Sequence, residues 1–348
     1  MRLGLYVLAS IVLMAIIGIY IYTVNPSEYS LTFTGIPINL PVAVWVVIPM
    51  FILMIGSAVH MMFYGTKNFF RFKKWEKDSE NLNNALYWSL LNEPKAHKFT
   101  LPRLKESATI FQAATLNING TVDGLSEKIQ SALNIISQID KGECVDFKEK
   151  KLARVLSDNN PLVIKNNLNC LNKDKSFVEE VLQQKEKYPQ EVFDKALSIF
   201  ANTATFYKAR KYSKIFDREN FVTMISRVTR EDNLGLTLNI LDEFIKDLDG
   251  KLKCSDFLLI GNVTKTQLSP DENLRIFKEY DKTYPKAKTA YLYLLFDYEM
   301  IDKAGEYLEE HEADEFIRFR ALYDLKKQYG KYKITDLMNI KHICNDLD

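Results

Sequence analysis

Two unbroken apolar stretches, Leu3 to Val24 and Leu40 to Tyr64, open the chain with a polar loop, Asn25 to Asn39, between them. A helix needs roughly 20 residues to cross the hydrocarbon core of a bilayer. Both stretches are long enough, so the pattern predicts a two-helix transmembrane hairpin over residues 1–64. Within the loop, Tyr29, Leu31 and Phe33 alternate with Ser30, Thr32 and Thr34, the period of a short strand or of an extended segment lying at the interface. Pro41 is expected in the first turn of the second helix. Pro49 is interior and should bend it, because its ring removes one backbone hydrogen bond.

Past Tyr64 the pattern turns polar but stays helical. Residues 65–93 read as a stalk that continues the second membrane helix until Glu93-Pro94 ends it. The stripe Leu82, Leu86, Leu90 with Tyr87 either pairs two copies side by side or docks on the following domain. Docking is preferred, since the stripe is shorter than the three or four heptads of a secure coiled coil.

From residue 94 to 348 the apolar positions recur at helical spacing. Leu125, Ile129, Ala132, Ile136 and Ile139 do so before Gly142, and Leu234, Leu238, Leu241, Ile245 and Leu248 before Gly250. Helix starts are written at Asn160-Pro161, at Ser176 with Glu179, at Tyr188-Pro189, and at Ser269-Pro270-Asp271-Glu272, a capping box with Pro at the first helical position. Strand alternation is confined to Phe257–Val263 and the loop near the membrane. The fold class is therefore all-α, an irregular α-solenoid or a bundle, with any division into two lobes placed near residues 250–268. Ser269 to Gly330 is tetratricopeptide-like in helix size: helices end near Tyr284-Pro285, then cover Ala287–Met300, Asp302–Glu310 and Ala313–Tyr329. Its Ala304 and Leu308 make a small-then-large packing pair, although the characteristic Trp, Leu-Gly and Tyr positions do not fall into register.

Charge sets an orientation. The chain totals +1, but residues 1–64 are neutral (Arg2 against Glu28), residues 65–77 carry +4, and the remainder carries −3. The loop has no Lys or Arg, whereas Lys67, Arg71, Lys73, Lys74 and Lys77 crowd the inner end of the second helix. The positive-inside rule then puts both termini of a two-pass membrane protein in the cytoplasm. A secretory signal peptide is the competing reading of residues 1–24, but the apolar region is too long and no A-x-A-like site comes after it. Tyr20, Tyr22, Tyr29 and Trp45 near one boundary, with Tyr64, Phe69, Phe70, Phe72 and Trp75 near the other, read as depth anchors. The basic cluster fits anionic lipid headgroups, at on the order of 1 kcal/mol per cation close to the surface. The acidic distal part has no footprint for nucleic acid.

Chemistry is sparse. Cys144, Cys170, Cys254 and Cys344 form neither a C-x-x-C pair nor a zinc-ligand spacing, and in a cytoplasmic domain they are expected to be reduced, buried thiols. No phosphate-cradling G-x-x-x-x-G-K-[ST] loop, no G-x-G-x-x-G after a strand and no G-x-S-x-G elbow occurs. His311-Glu312-Ala313-Asp314-Glu315 starts like a zinc-protease helix but has Glu315 where the second His belongs. His60, His97, His311 and His342 are scattered, and the carboxylates of Glu306, Glu309, Glu310, Glu312, Asp314 and Glu315 read as a solvated face. No catalytic, cofactor-binding or metal-binding residue is implied. The aromatics of the last 70 or so residues are mostly expected to pack between helices. Tyr291, Tyr298, Tyr307 and Tyr323 are the candidates for a partner-binding surface.

The segment Asn25-Pro-Ser-Glu-Tyr-Ser-Leu-Thr-Phe-Thr-Gly-Ile-Pro-Ile-Asn-Leu-Pro41, running into a second helix that contains Gly56, resembles the lipopolysaccharide assembly protein A family. Members share a short first helix, an Asn-led loop with alternating apolar residues, and a second helix leading to a basic cytoplasmic segment. The resemblance covers residues 1–75. Family members usually end soon after a short coiled segment, whereas this chain continues for about 270 residues. The resemblance implies an inner-membrane adaptor that works with a helical-repeat partner and a membrane-anchored protease to adjust lipopolysaccharide synthesis.

The expected function is thus a non-enzymatic, membrane-anchored scaffold or adaptor that binds protein partners and in which self-association is open. The alternatives are a structural subunit of a large membrane machine, such as a flagellar motor or secretion apparatus, and a membrane-bound enzyme of unrecognised helical fold.

Overall fold

The computed structural model describes residues 3–33, 36–118, 124–248, 250–330, 332–338 and 343–344. Arg2, Thr34 and His342, which carry parts of the sequence pattern, lie outside them. Among the described residues the chain is all-α apart from one small hairpin, and it divides into two compact units, residues 1–134 and 135–348.

In the first unit, α1 (Leu3–Val24) and α2 (Val42–Leu90) pack against each other, and both carry stretches apolar and long enough to cross a membrane. Gly18 faces α2, where a Cβ would meet Val47 Cγ2 at 3.4 Å, about van der Waals contact. The connection is an antiparallel hairpin, β1 (Glu28–Phe33) with β2 (Ile36–Pro41), in register from Glu28 opposite Pro41 to Phe33 opposite Ile36. The alternation in β1 thus belongs to a paired strand. Leu40 and Pro41 end β2, so the second helix starts at Val42 with Pro41 as its N-cap instead of within its first turn. Trp45 ties the helix back to the hairpin by donating from Nε1 to the Tyr29 carbonyl at 3.0 Å.

α2 is a single helix of 49 residues with Pro49 inside it, and it runs on through the basic cluster to Leu90. After Asn92, at φ 55°, the chain reverses and residues 93–116 return along the last turns of α2, forming α3 (Pro102–Ala108) on the way. Polar side chains of α2 pin the return: Asn81 Nδ2 donates to Lys98 O at 2.8 Å, and Ser89 Oγ to Ala114 O. Ala85, Ser89, Leu90 and Leu91 are buried there. Of the stalk stripe, Leu90 is buried there, whereas Leu82, Leu86 and Tyr87 are half-buried.

α4 (Glu127–Asp140) ends at Gly142, whose φ of 81° gives the left-handed stop that the sequence predicts. α5 (Pro161–Lys173) starts as expected, with Asn160 Oδ1 accepting from Leu162 N at 2.8 Å. α6 (Lys175–Gln183) is capped by Asp174 instead of Ser176, because the Asp carboxylate reaches both Ser176 N and Oγ. α7 (Gln190–Thr203), α8 (Phe206–Ala209) and α9 (Arg218–Ser226) come next. α10 (Leu238–Asp247) begins four residues later than the apolar spacing implies. Leu234 and Gly235 form a left-handed turn that hands Thr237 to the helix as its cap.

α11 (Cys254–Lys265) covers residues 257–263, for which the sequence offered a strand. Helix wins because Asp256 caps its start, accepting from Lys253 N at 2.8 Å, and Phe257, Leu258, Ile260 and Gly261 are all enclosed by neighbouring helices. α12 (Pro270–Thr283) carries both arms of the Ser269–Glu272 capping box. α13 (Lys288–Asp297), α14 (Ile301–Glu309), α15 (Ile317–Tyr329) and α16 (Ile334–Leu337) complete the chain.

Helices of the second unit stack as a series: α7 on α5, α6 and α9, then α9 on α11, α11 on α12 and α13, and α13 on α14. One hydrophobic core runs through the stack. Residues 250–268, the expected place for a division into lobes, contribute Leu252, Phe257 and Ile260 to that core. Phe244 is its aromatic centre, stacked on Phe221 at 5.4 Å with Phe206 and Phe216 edge-on at 6.0 and 5.2 Å. α13 is enclosed on every side from Thr289 to Phe296, as a central helix must be.

Candidate functional site

Three places in the molecule gather polar or aromatic groups: the basic collar of α2, the tyrosines of α12–α15, and a cleft beside α8. In the collar, Lys67, Arg71, Lys73, Lys74 and Lys77 are all exposed, and so are Phe69, Phe70, Phe72 and Trp75. Asp78 stands immediately after and is fully buried. Its carboxylate accepts from Thr100 N at 2.9 Å, from Thr100 Oγ1 at 3.1 Å and from Leu101 N at 2.7 Å, so it latches the start of α3 to the stalk. Desolvation pushes the carboxyl up, but the donors of Leu101 and Thr100 outweigh it and hold it below its ordinary value. The collar and the latch are adjacent on one helix.

The four tyrosines offered as partner contacts separate into two classes. Tyr291 and Tyr307 are buried and meet edge to face at 5.3 Å. Tyr307 donates to Asp281 Oδ1 at 2.7 Å, and burial together with that bond drives its phenol far above the usual range. These two hold helices together and offer nothing to a partner. Tyr298 and Tyr323 are half-buried. Tyr298 Oη accepts from Asn273 Nδ2 at 3.0 Å, and Tyr323 closes over Gly305, where a Cβ would lie 2.6 Å from the ring. Tyr298 thus packs against α12 and Tyr323 against α14.

His311–Glu315 lies in the turn between α14 and α15, so the zinc-protease spacing has no helix to display it. Arg320 organises that turn, its guanidinium donating to the carbonyls of Leu308, His311, Glu312 and Glu315 at 2.6–2.9 Å. The carboxylates of Glu306, Glu309, Glu310, Glu312, Asp314 and Glu315 point to solvent around it. Among the described residues no group of three or more His, Cys, Asp or Glu side chains could hold a metal ion.

A cleft of about 1130 Å³ opens beside α8 and the turn after it. Lys208 pairs with Glu179 at 3.6 Å and Arg210 with Glu243 at 2.6 Å across its rim. Tyr207 stands 80% exposed at its edge, the most accessible ring among the described residues of the second unit, while Phe206, whose N bonds Leu234 O at 2.8 Å, is buried. The cleft is broad and open and carries no buried, unpartnered acid or base of the kind that general acid–base chemistry uses.

All four cysteines are joined, Cys144 to Cys170 and Cys254 to Cys344. The expectation of reduced thiols is corrected. Their sequence separations of 26 and 90 residues conceal pairs whose Cα atoms lie 4.7 and 5.7 Å apart once α4 meets α5 and the C-terminal segment meets α11. No protein-family model, curated protein or solved structure matches this chain. What is shown of it is a helical domain on a two-helix apolar anchor.

Proposed function

We propose that this protein is a non-enzymatic scaffold or adaptor of a bacterial inner membrane, two-pass with both termini in the cytoplasm, displaying its helical domain to protein partners. Lipopolysaccharide assembly or its regulation is the context that the loop resemblance favours. The observation that carries the reading is the continuity of α2. The second apolar stretch, the basic collar and the stalk are one helix, latched to the next segment through Asp78. At 1.5 Å per residue, the 26 residues after Tyr64 reach about 39 Å, so the collar meets lipid headgroups while the stalk end stands clear of them.

The test is a mild-detergent pull-down of the tagged full-length protein beside a version lacking residues 1–77. Co-purification of a membrane protease or lipopolysaccharide enzymes with the full-length protein is expected. Recovery of many copies with motor or secretion components would replace the adaptor role with that of a structural subunit.

The paired cysteines favour a second reading, in which the helical domain lies outside the cytoplasm, where disulfides persist. The charge asymmetry around the hairpin opposes it. Protease added to spheroplasts decides: cleavage after residue 78 would move the domain outside, and full protection would keep it in the cytoplasm.

A further inference from the structure

The two disulfides differ in access. Cys144 lies exposed in the turn after α4, and its partner Cys170, in the last turn of α5, is 8% exposed. Cys254 and Cys344 are 0% and 3% exposed, set between the start of α11 and the C-terminal segment. A thiolate must reach a sulfur to exchange with it, so a folded protein offers only the first bond.

The turn that carries Cys144 is also held without its disulfide. Val145 N donates to Asn166 Oδ1 at 2.8 Å, and Asn166 Nδ2 donates to Val145 O at 2.9 Å, a buried two-way clamp from the middle of α5. On the other side of Cys144, Asn169 Nδ2 donates to Glu143 O at 3.1 Å and to Ile139 O at 2.8 Å. Gly142 N and Glu143 N close the end of α4 by bonding Ile139 O and Gln138 O. Both neighbours of Cys144 are thus fixed to α5 by side-chain amides, and opening the sulfur bridge leaves the two thiols facing each other.

We propose that Cys144–Cys170 is a thiol–disulfide exchange site for a dithiol reductant, opened and re-formed on the folded domain, whereas Cys254–Cys344 is a closed staple. In the first step a thiolate of the reductant attacks Sγ of Cys144, forms a mixed disulfide and expels Cys170 as a thiolate, which takes a proton from water. The second thiolate of the reductant then attacks its own sulfur in the mixed disulfide and releases Cys144, which is protonated in turn. The reductant leaves as a disulfide, and two electrons and two protons have passed to the cysteine pair. A disulfide oxidant such as oxidised glutathione reverses the sequence. The inference goes beyond the scaffold reading and holds on either side of the membrane, because it rests on access and on the amide clamp.

The experiment uses the purified full-length protein in detergent micelles, exposed to graded dithiothreitol, quenched with acid and labelled with a maleimide of large mass. Two thiols, mapped to Cys144 and Cys170, are expected at reductant levels that leave far-UV circular dichroism unchanged, and oxidised glutathione should close them again. The C254S/C344S variant should keep this two-thiol step and C144S/C170S should lose it. Asn166→Ala should slow closure several-fold. Release of all four thiols together, or of none until the helices melt, would overturn the proposal. Closure as fast in Asn166→Ala as in the parent would overturn the clamp.

Discussion

Arg218 lays its guanidinium fork along the carboxylate of Asp256, with Nε 2.6 Å from Oδ2 and Nη2 2.9 Å from Oδ1. The pair joins the first residue of α9 to the first turn of α11, and the Asp256 side chain is only 4% exposed. Asp256 also accepts from Lys253 N, so one carboxylate caps a helix and neutralises a cation that the positive N-terminal end of α9 would otherwise repel. Replacing Asp256 by Ala removes both partners at once and leaves Arg218 with a half-enclosed charge. The expected loss is roughly 2–4 kcal/mol, read as a lower urea midpoint of the second unit. Arg218→Ala should cost less, and the double variant less than the sum, because the two changes delete one shared interaction.

Asp78 governs a different joint. Its carboxyl is held below its ordinary value of 3.8 in the folded protein by the Leu101 and Thr100 donors, which outweigh desolvation. A depressed carboxylate contributes stability that is present above pH 3.8 and is lost as pH falls through the lower, folded value. Asp78→Ala should therefore release the return segment at neutral pH. Arg103 and Lys105 are exposed on α3, so the readout is trypsin cleavage there, faster in the variant by several-fold with cleavage in the second unit unchanged. Equal rates would show that the Asn81 and Ser89 bonds hold the segment alone.

What could be read in the sequence was local. The hairpin, the unbroken stalk, the Ser269 box, the Asn160 cap and the stop at Gly142 each depend on residues within a few positions of one another, and each is present. The misreadings share a cause. Phe257–Val263 resembles a strand because a helix enclosed on most sides shows no 3.6-residue stripe. Tyr291 and Tyr307 looked like surface candidates because composition says nothing of which carboxylate a phenol will meet. Disulfide partners 26 and 90 residues apart, and the Asp78–Thr100 latch across 22, are products of tertiary packing that spacing does not encode.

Arg320 is the donor group that gathers the end of α14 and the turn after it. Four carbonyls face it, and Glu309, Glu310, Glu312, Asp314 and Glu315 surround the turn with negative charge. Arg320→Ala should leave those carbonyls to water and cost roughly 1–3 kcal/mol. Arg320→Lys should recover little, since one ammonium does not reproduce the planar fork. Amide hydrogen exchange localises the effect: protection should fall over residues 308–316 in both variants and stay unchanged in α11 and α13.

Tyr280 and Tyr307 make the second unit sensitive to alkali. Each phenol is pushed far up, first by burial and then by donating to a carboxylate, Asp242 for Tyr280 and Asp281 for Tyr307. A group whose folded value is raised stabilises the native state below its unfolded value, here 10.0, and that contribution drains away as pH climbs past it toward the folded value. The melting temperature of the full-length protein should therefore hold from neutral pH to about 10 and fall steeply above it. Tyr280→Phe should melt lower at neutral pH, because Asp242 loses its donor, yet fall less on going above pH 10, because one raised phenol is gone. Phenolate absorbance recorded in parallel should show Tyr280 and Tyr307 ionising only with the unfolding step. Ionisation of Tyr280 and Tyr307 ahead of any loss of helix would show that neither phenol is enclosed as the structure has it.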